Sequence, residues 1–297
     1  MALAGCKTVY EGSVMRMHDK GRGKPGAVIA MPAQTDDTLR SSNYRFTASL
    51  TKSQLDRVMA AMDQYHLEMY RALGPDRKEH PEYADVVILD DEASFLKKIE
   101  DSPDAVVDRD FIAVIPSKRM LVLLHRGTWM EFSRRLFRSQ ARLFLRDFMP
   151  QLPAWLREGM ISFFEEVTMG GLGGRSKFKI VGYSSEKLAG VHKLIKSGKL
   201  PGLKSISAIT DRAKFTEADL LSAWAFVYWS QHSGRLSRET FKRFVGAIIE
   251  KGPENVDIGE YLRISLPDFE KRWKEWLLEQ KVFLPKGKQE SERGRKK

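Results

Sequence analysis

Apolar and polar positions alternate over residues 43–49, Asn-Tyr-Arg-Phe-Thr-Ala-Ser, which predicts a strand with one buried face. Thr51-Lys-Ser-Gln54 then has the form of a capping box. It opens a run with apolar residues at Leu55, Val58, Met59, Met62, Tyr65, Met69 and Leu73, the spacing of a long amphipathic helix stopped by Gly74-Pro75. Residues 84–89 are continuously apolar after Asp85 and read as a short buried strand. A short helix follows through Phe95, Leu96 and Ile99. Two further apolar runs, 111–115 and 120–124, flank Pro-Ser-Lys-Arg and predict a hairpin. Beyond them the period becomes helical. Helices are expected over 128–149 and 154–168, on either side of the break from Pro150 to Pro153, and then over 185–197, 216–232, 237–250 and 266–280. Ser265-Leu-Pro-Asp268 starts the last of these with a cap residue, an early proline and an acid in the first turn. Gly170-Gly-Leu-Gly-Gly174 reads as a flexible connection. The fold class is therefore α+β: a strand-rich amino-terminal part with one long helix, then a mainly helical part. With no linker between them, 41–285 is expected to be one unit. Residues 1–40 read as a tether and 286–297 as a polar disordered tail.

Composition narrows the functional classes. The chain has 297 residues, a 42% hydrophobic fraction, 16 Phe and 6 Trp, which excludes a disordered protein. No apolar run approaches the roughly 18 residues that predict a membrane-spanning helix. The 50 Lys and Arg against 39 Asp and Glu give a net charge of +11, of which the tail supplies +4 from six basic and two acidic residues. A scattered positive charge suits anionic lipid headgroups or acidic envelope polymers as well as nucleic acid. No nucleic-acid motif accompanies it, so a basic nucleic-acid-binding protein is kept only as an alternative. The one cysteine excludes an intrachain disulfide, a multi-cysteine zinc site and an iron–sulfur cluster.

That cysteine closes Leu3-Ala4-Gly5-Cys6, which resembles the lipobox of bacterial lipoproteins. The resemblance implies a lipid on the Cys6 thiol and a place in the bacterial cell envelope, on the periplasmic side. A secretory signal needs a longer apolar stretch than the residues before Cys6 provide. The lipoprotein reading therefore expects the true start to lie further upstream, and otherwise a cytoplasmic protein.

The segment richest in chemistry runs Arg135-Leu-Phe-Arg138-Ser139-Gln140-Ala141-Arg142, then Trp155-Leu156-Arg157-Glu158-Gly159 and Phe163-Phe164-Glu165. It resembles the core of gluzincin-type zinc metallopeptidases of the peptidase-MA-like group, in particular a bacterial family of unknown function within it. In that family one helix carries His-Glu-x-x-His and the next a Trp-Leu-x-Glu-Gly pattern. Two histidines four apart share a helix face and hold zinc, the adjacent Glu activates a zinc-bound water, and the second helix supplies a third ligand. The resemblance covers roughly 40–280, including Leu220-Leu-Ser-Ala-Trp224 and the stretch from Leu262 to Trp273. Aligned on it, the zinc motif falls on Arg138, Ser139, Gln140, Ala141 and Arg142, with Glu158 the only surviving functional position. The resemblance thus implies a pseudopeptidase with no catalytic residue, no metal and no cofactor, binding a peptide or protein partner. Arg138 and Arg142 at i, i+4 share a face and are expected to point toward Glu158, either as a closed ion pair or as a site for a carboxylate or phosphate.

Other signals count for less. No two of His18, His66, His80, His125, His192 and His232 lie within five residues of each other, though His125 precedes the motif helix and could face its site. The glycine run fails as a phosphate loop, because it is expected to follow a helix and lacks the Gly-Lys-Ser/Thr order. No Gly-x-Ser-x-Gly elbow exists. Glu165-Glu166 could serve as acid and base, but a helix-surface pair is the commoner arrangement, and Trp155, Phe163 and Phe164 read as core. An active hydrolase with an unrecognised site remains the alternative enzyme reading.

Overall fold

A computed structural model of the chain describes residues 40–73, 84–108, 111–170, 177–234, 236, 238–252, 256 and 258–283. Cys6, His18, His80, residues 171–174 of the glycine run and the tail 286–297 lie outside the described residues. The described residues divide into two compact units. Of the described residues, unit 1 comprises those through Phe148 and those within Val167–Ile180, and unit 2 comprises Met149–Glu166 and those from Val181.

Unit 1 is built on a five-stranded sheet. Its elements are β1 (Tyr44–Ala48), α1 (Lys52–Leu73), β2 (Ala84–Leu89), α2 (Glu92–Glu100), β3 (Val106–Asp108), β4 (Ile112–Ile115), β5 (Met120–Leu124) and α3 (Trp129–Phe148). The strand order is β1-β2-β5-β4-β3. β1, β2 and β5 are parallel, and β5, β4 and β3 antiparallel in turn. The parallel pair β1–β2 follows from α1 as a crossover, and the antiparallel pair β4–β5 from the tight 3-10 turn Pro116–Lys118. Thr51 and Gln54 form the expected reciprocal cap of α1, side chain to backbone at 3.0 and 3.4 Å. Leu55, Val58, Met62, Tyr65, Met69 and Leu73 are buried along it. Phe95 of α2 packs with Val87, Ala113, Ile115, Val122 and Leu124 on one sheet face. The intervening residues Val86, Ile88, Ile112, Val114, Leu121 and Leu123 are also buried, and α3 packs on β4 and β5.

The expected helix 154–168 is corrected by the structure. It ends at Phe164, and Val167–Gly170 forms β6, paired antiparallel with β7 (Lys177–Ile180). The Glu165 amide closes the helix on the Ile161 carbonyl at 3.0 Å. The alternation Lys-Phe-Lys-Ile beyond the glycines then supplies a partner strand. The glycine run therefore follows a strand, contrary to expectation, and leads to a second strand. A phosphate loop needs strand, loop and helix, so that reading still fails.

Unit 2 is helical: α4 (Ala154–Phe164), α5 (Ser185–Lys196), α6 (Leu203–Ser207), α7 (Glu217–His232), α8 (Arg238–Lys251), α9 (Ile258–Leu262) and α10 (Leu266–Glu279). α7 is buried nearly all round, with Trp224, Ala225 and Phe226 fully enclosed. It packs most extensively on α4. Gly159 makes that approach possible, since a Cβ there would stand 2.6 Å from the Ala223 carbonyl oxygen. α10 opens as expected, Ser265 accepting the Asp268 amide at 3.3 Å with proline in the first turn.

Candidate functional site

α3 places the positions aligned with the zinc motif. Arg138 and Arg142 are half-buried, whereas Ser139 and Gln140 are fully buried. The Ser139 hydroxyl donates to the Arg135 carbonyl of its own helix at 2.7 Å. That bond is the ordinary way a helical serine satisfies itself.

Gln140, given no role in the sequence, organises a buried polar group of unit 1. Its Nε2 lies 2.7 Å from the Met62 carbonyl and 2.8 Å from the Tyr44 hydroxyl. A carbonyl can only accept, so this atom is the amide nitrogen and it donates to both. Tyr44 is then left to donate to His66 Nδ1 at 2.9 Å. The chain Gln140→Tyr44→His66 ties α3, β1 and α1 together. Tyr44, Tyr70, Phe144 and Phe148 surround the imidazole at centroid distances of 5.1–6.1 Å. Burial pushes the Tyr44 phenol far above its ordinary range, with the Gln140 hydrogen bond opposing, so the hydroxyl keeps its proton. Nearby, Asp147 takes Arg119 at 2.9 Å and Arg146 at 2.6 Å.

Glu158 lies on α4 in unit 2, and Arg138, Ser139 and Arg142 lie on α3 in unit 1. It is 4% exposed, and Arg212 Nε meets its carboxylate at 2.9 Å. Arg212 opens the 3-10 turn Arg212–Lys214, fixed by Asp211, whose side chain accepts the Ala213 amide at 2.9 Å. The preceding Arg157 donates to the Pro150 and Leu152 carbonyls at 2.8 and 2.9 Å, pinning the turn before α4. Burial draws its guanidinium below the usual range, against the pull of Glu158.

Glu165 and Glu166 are buried, not the surface pair expected. Lys187 of α5 reaches Glu165 at 2.5 Å, Glu166 at 3.0 Å and the Ser162 carbonyl at 2.8 Å. The ammonium thus donates to Ser162 and Glu165 and forms a second ion pair with Glu166. The same ammonium stands 6.0 Å from the Trp224 ring centroid, and Trp224 itself donates to the Gly182 carbonyl at 3.0 Å. The burial reflects the early end of α4, which turns both acids inward at a chain reversal.

The described histidines serve separate purposes. His66 belongs to the aromatic box. His192 and His232 donate from Nε2 to the carbonyls of Leu277 and Val181 at 2.7 and 2.8 Å. His125 packs edge-on against Phe132, and burial, then Arg135, hold its pKa below the usual imidazole value, with Asp90 opposing. Among the described residues no group of three or more His, Cys, Asp or Glu is placed to hold a metal ion. No described helix is long and apolar enough to cross a membrane. Arg212 and Lys187 were invisible in the sequence because their partners lie far away along the chain. No protein-family model and no curated protein matches the chain.

Proposed function

We propose that this protein is a bacterial envelope lipoprotein, anchored through Cys6, whose metallopeptidase-like domain has lost hydrolysis and binds a peptide or protein partner. One observation carries the reading: Glu158, the acid that the resembled motif would offer to zinc, is buried and held by the Arg212 guanidinium at 2.9 Å. A carboxylate in a buried charge-assisted pair has its charge already satisfied, and a metal would have to displace the arginine. The two positions aligned with the zinc histidines hold arginine, whose guanidinium cannot take the place of an imidazole ligand.

Metal analysis of the purified protein, with a casein-degradation assay, tests this. Sub-stoichiometric zinc and intact casein are expected. Stoichiometric zinc, or cleavage that a chelator stops, would overturn it, and chelator-insensitive cleavage would favour a hydrolase using another site. The anchor is tested separately by expression with the native upstream sequence in a bacterial host. Palmitate label should enter the wild type and vanish in Cys6→Ser.

A further inference from the structure

β3 closes one side of the five-stranded sheet and pairs, among the described residues, only with β4. The opposite edge is partly covered, since Arg40 bridges Arg45 of β1. An open edge presents main-chain donors and acceptors to any extended chain that approaches it, and folded proteins blunt such edges unless they are used. β3 is short, at three residues, but Val106 and Val107 leave it apolar and exposed. Of the six large hydrophobic side chains that stand exposed among the described residues, three lie in the stretch 96–107: Leu96 at 56%, Val106 at 47% and Val107 at 50%. Val107 is paired with Ala113, which packs with Phe95. Val107 therefore shares a sheet face with α2, the helix that carries Leu96. Val106, paired with Val114, faces the other way.

The charge along this edge reverses that of the whole protein. Residues 100–108 contain Glu100, Asp101, Asp104 and Asp108 and no Lys or Arg, in a chain of net +11. Glu100, Asp101 and Asp104 are exposed. The Ser117 amide, 2.7 Å from its carboxylate, holds Asp104 below the usual range and keeps it anionic. Among the described residues the neighbouring cations are Lys97 and Lys98 on the last turn of α2, and Lys118, which donates to Ser102 at 3.3 Å; Arg109 follows Asp108 in the sequence. None of them lies on β3 itself.

We propose that the β3 edge receives an extended segment of a partner protein as an added strand. That segment carries Lys or Arg at alternate positions and small apolar residues between them. Backbone pairing supplies the docking and the alternating side chains supply selectivity. The assignment rests on the reading of the protein as a binding module and names the chemistry of its partner.

The test uses two fluorescent hexapeptide probes, Lys-Val-Lys-Val-Lys-Val and Glu-Val-Glu-Val-Glu-Val, added to the full chain and followed by anisotropy. The lysine probe should bind, with affinity falling as salt rises. The glutamate probe should bind about tenfold more weakly or less, the factor that about 1.4 kcal/mol represents. Val106→Lys plus Val107→Lys, which changes only exposed side chains, should weaken the lysine probe by at least about the same factor. In the unaltered chain, hydrogen exchange at the amides of 106–108 should slow when the lysine probe is added, a readout independent of how the variant folds. Failure of the lysine probe to bind, equal binding of both probes, or unchanged exchange at 106–108 would each overturn the assignment. Mass spectrometry of the recovered probe separates the two readings. A cleaved probe defeats the non-hydrolytic function and leaves the edge standing, and an intact but unbound probe defeats only the edge.

Discussion

Gln140 occupies one of the positions aligned with a zinc motif, yet its work is to order a chain of protons. Because the Met62 carbonyl accepts from Nε2, the direction of the other two hydrogen bonds follows. His66 should therefore be the Nε2–H tautomer, which nitrogen-15 chemical shifts of the ring report directly; an Nδ1–H ring would contradict the donor order. Gln140→Leu keeps the volume and removes two donated hydrogen bonds, to the Tyr44 hydroxyl and to the Met62 carbonyl, which keeps its partner within α1. A loss of about 1–2 kcal/mol is expected in urea unfolding, the net worth of the bonds removed. His125 makes a pH-dependent contribution of the opposite kind to an ion pair. Its folded pKa is held below the ordinary value near 6.5, so the unfolded chain takes up a proton first as pH falls. Stability from this group is intact above about pH 6.5 and declines below it. His125→Gln should flatten that part of the stability profile, and an unchanged acid slope would refute the assignment.

Elements differ in how openly the chain declares them. The starts of α1 and α10 are written locally, in Thr51 with Gln54 and Ser265 with Asp268, because a cap needs only residues three apart. β6 was not legible: Val-Thr-Met continues the apolar character of α4, and the strand exists only because Lys177–Ile180 returns beside it. β3 is three residues between acids and owes its state to β4. The candidate site follows the same rule. Arg138 and Arg142 could be placed on one helix face from spacing alone, whereas the Glu158–Arg212 pair depends on the packing of unit 2. Gly159 makes that packing testable. Gly159→Ala would set a Cβ 2.6 Å from a backbone oxygen of α7, and forcing the helices apart should cost about 1–3 kcal/mol in thermal or urea unfolding. Gly246→Ala is the matched control. It lies exposed in α8 with nothing within 4 Å of an added Cβ, and should stabilise by up to about 1 kcal/mol through helix propensity. Equal effects at the two sites would mean that the α4–α7 approach is looser than 2.6 Å implies.

Across the whole molecule, the positive charge acts as a field, apart from any single site. The net +11 is carried by residues dispersed along the sequence, and 286–297 holds +4 of it in a short stretch. A diacylglycerol on the Cys6 thiol would hold the protein near anionic headgroups, where a basic segment adds electrostatic attraction. Each Lys or Arg near such a surface contributes about 1 kcal/mol at physiological salt. The unlipidated protein should therefore sediment with phosphatidylglycerol-containing vesicles and not with neutral phosphatidylcholine vesicles. Raising the salt should release it. Deleting 286–297, which lowers the net charge from +11 to +7, should weaken vesicle binding at least about tenfold if the tail's charges act together. It should leave urea unfolding unchanged if the tail lies outside the folded units. Vesicle binding insensitive to salt and to the deletion would show that the charge has no part in attachment. Tight binding to duplex DNA with a steep salt dependence would transfer the same charge to a nucleic-acid partner.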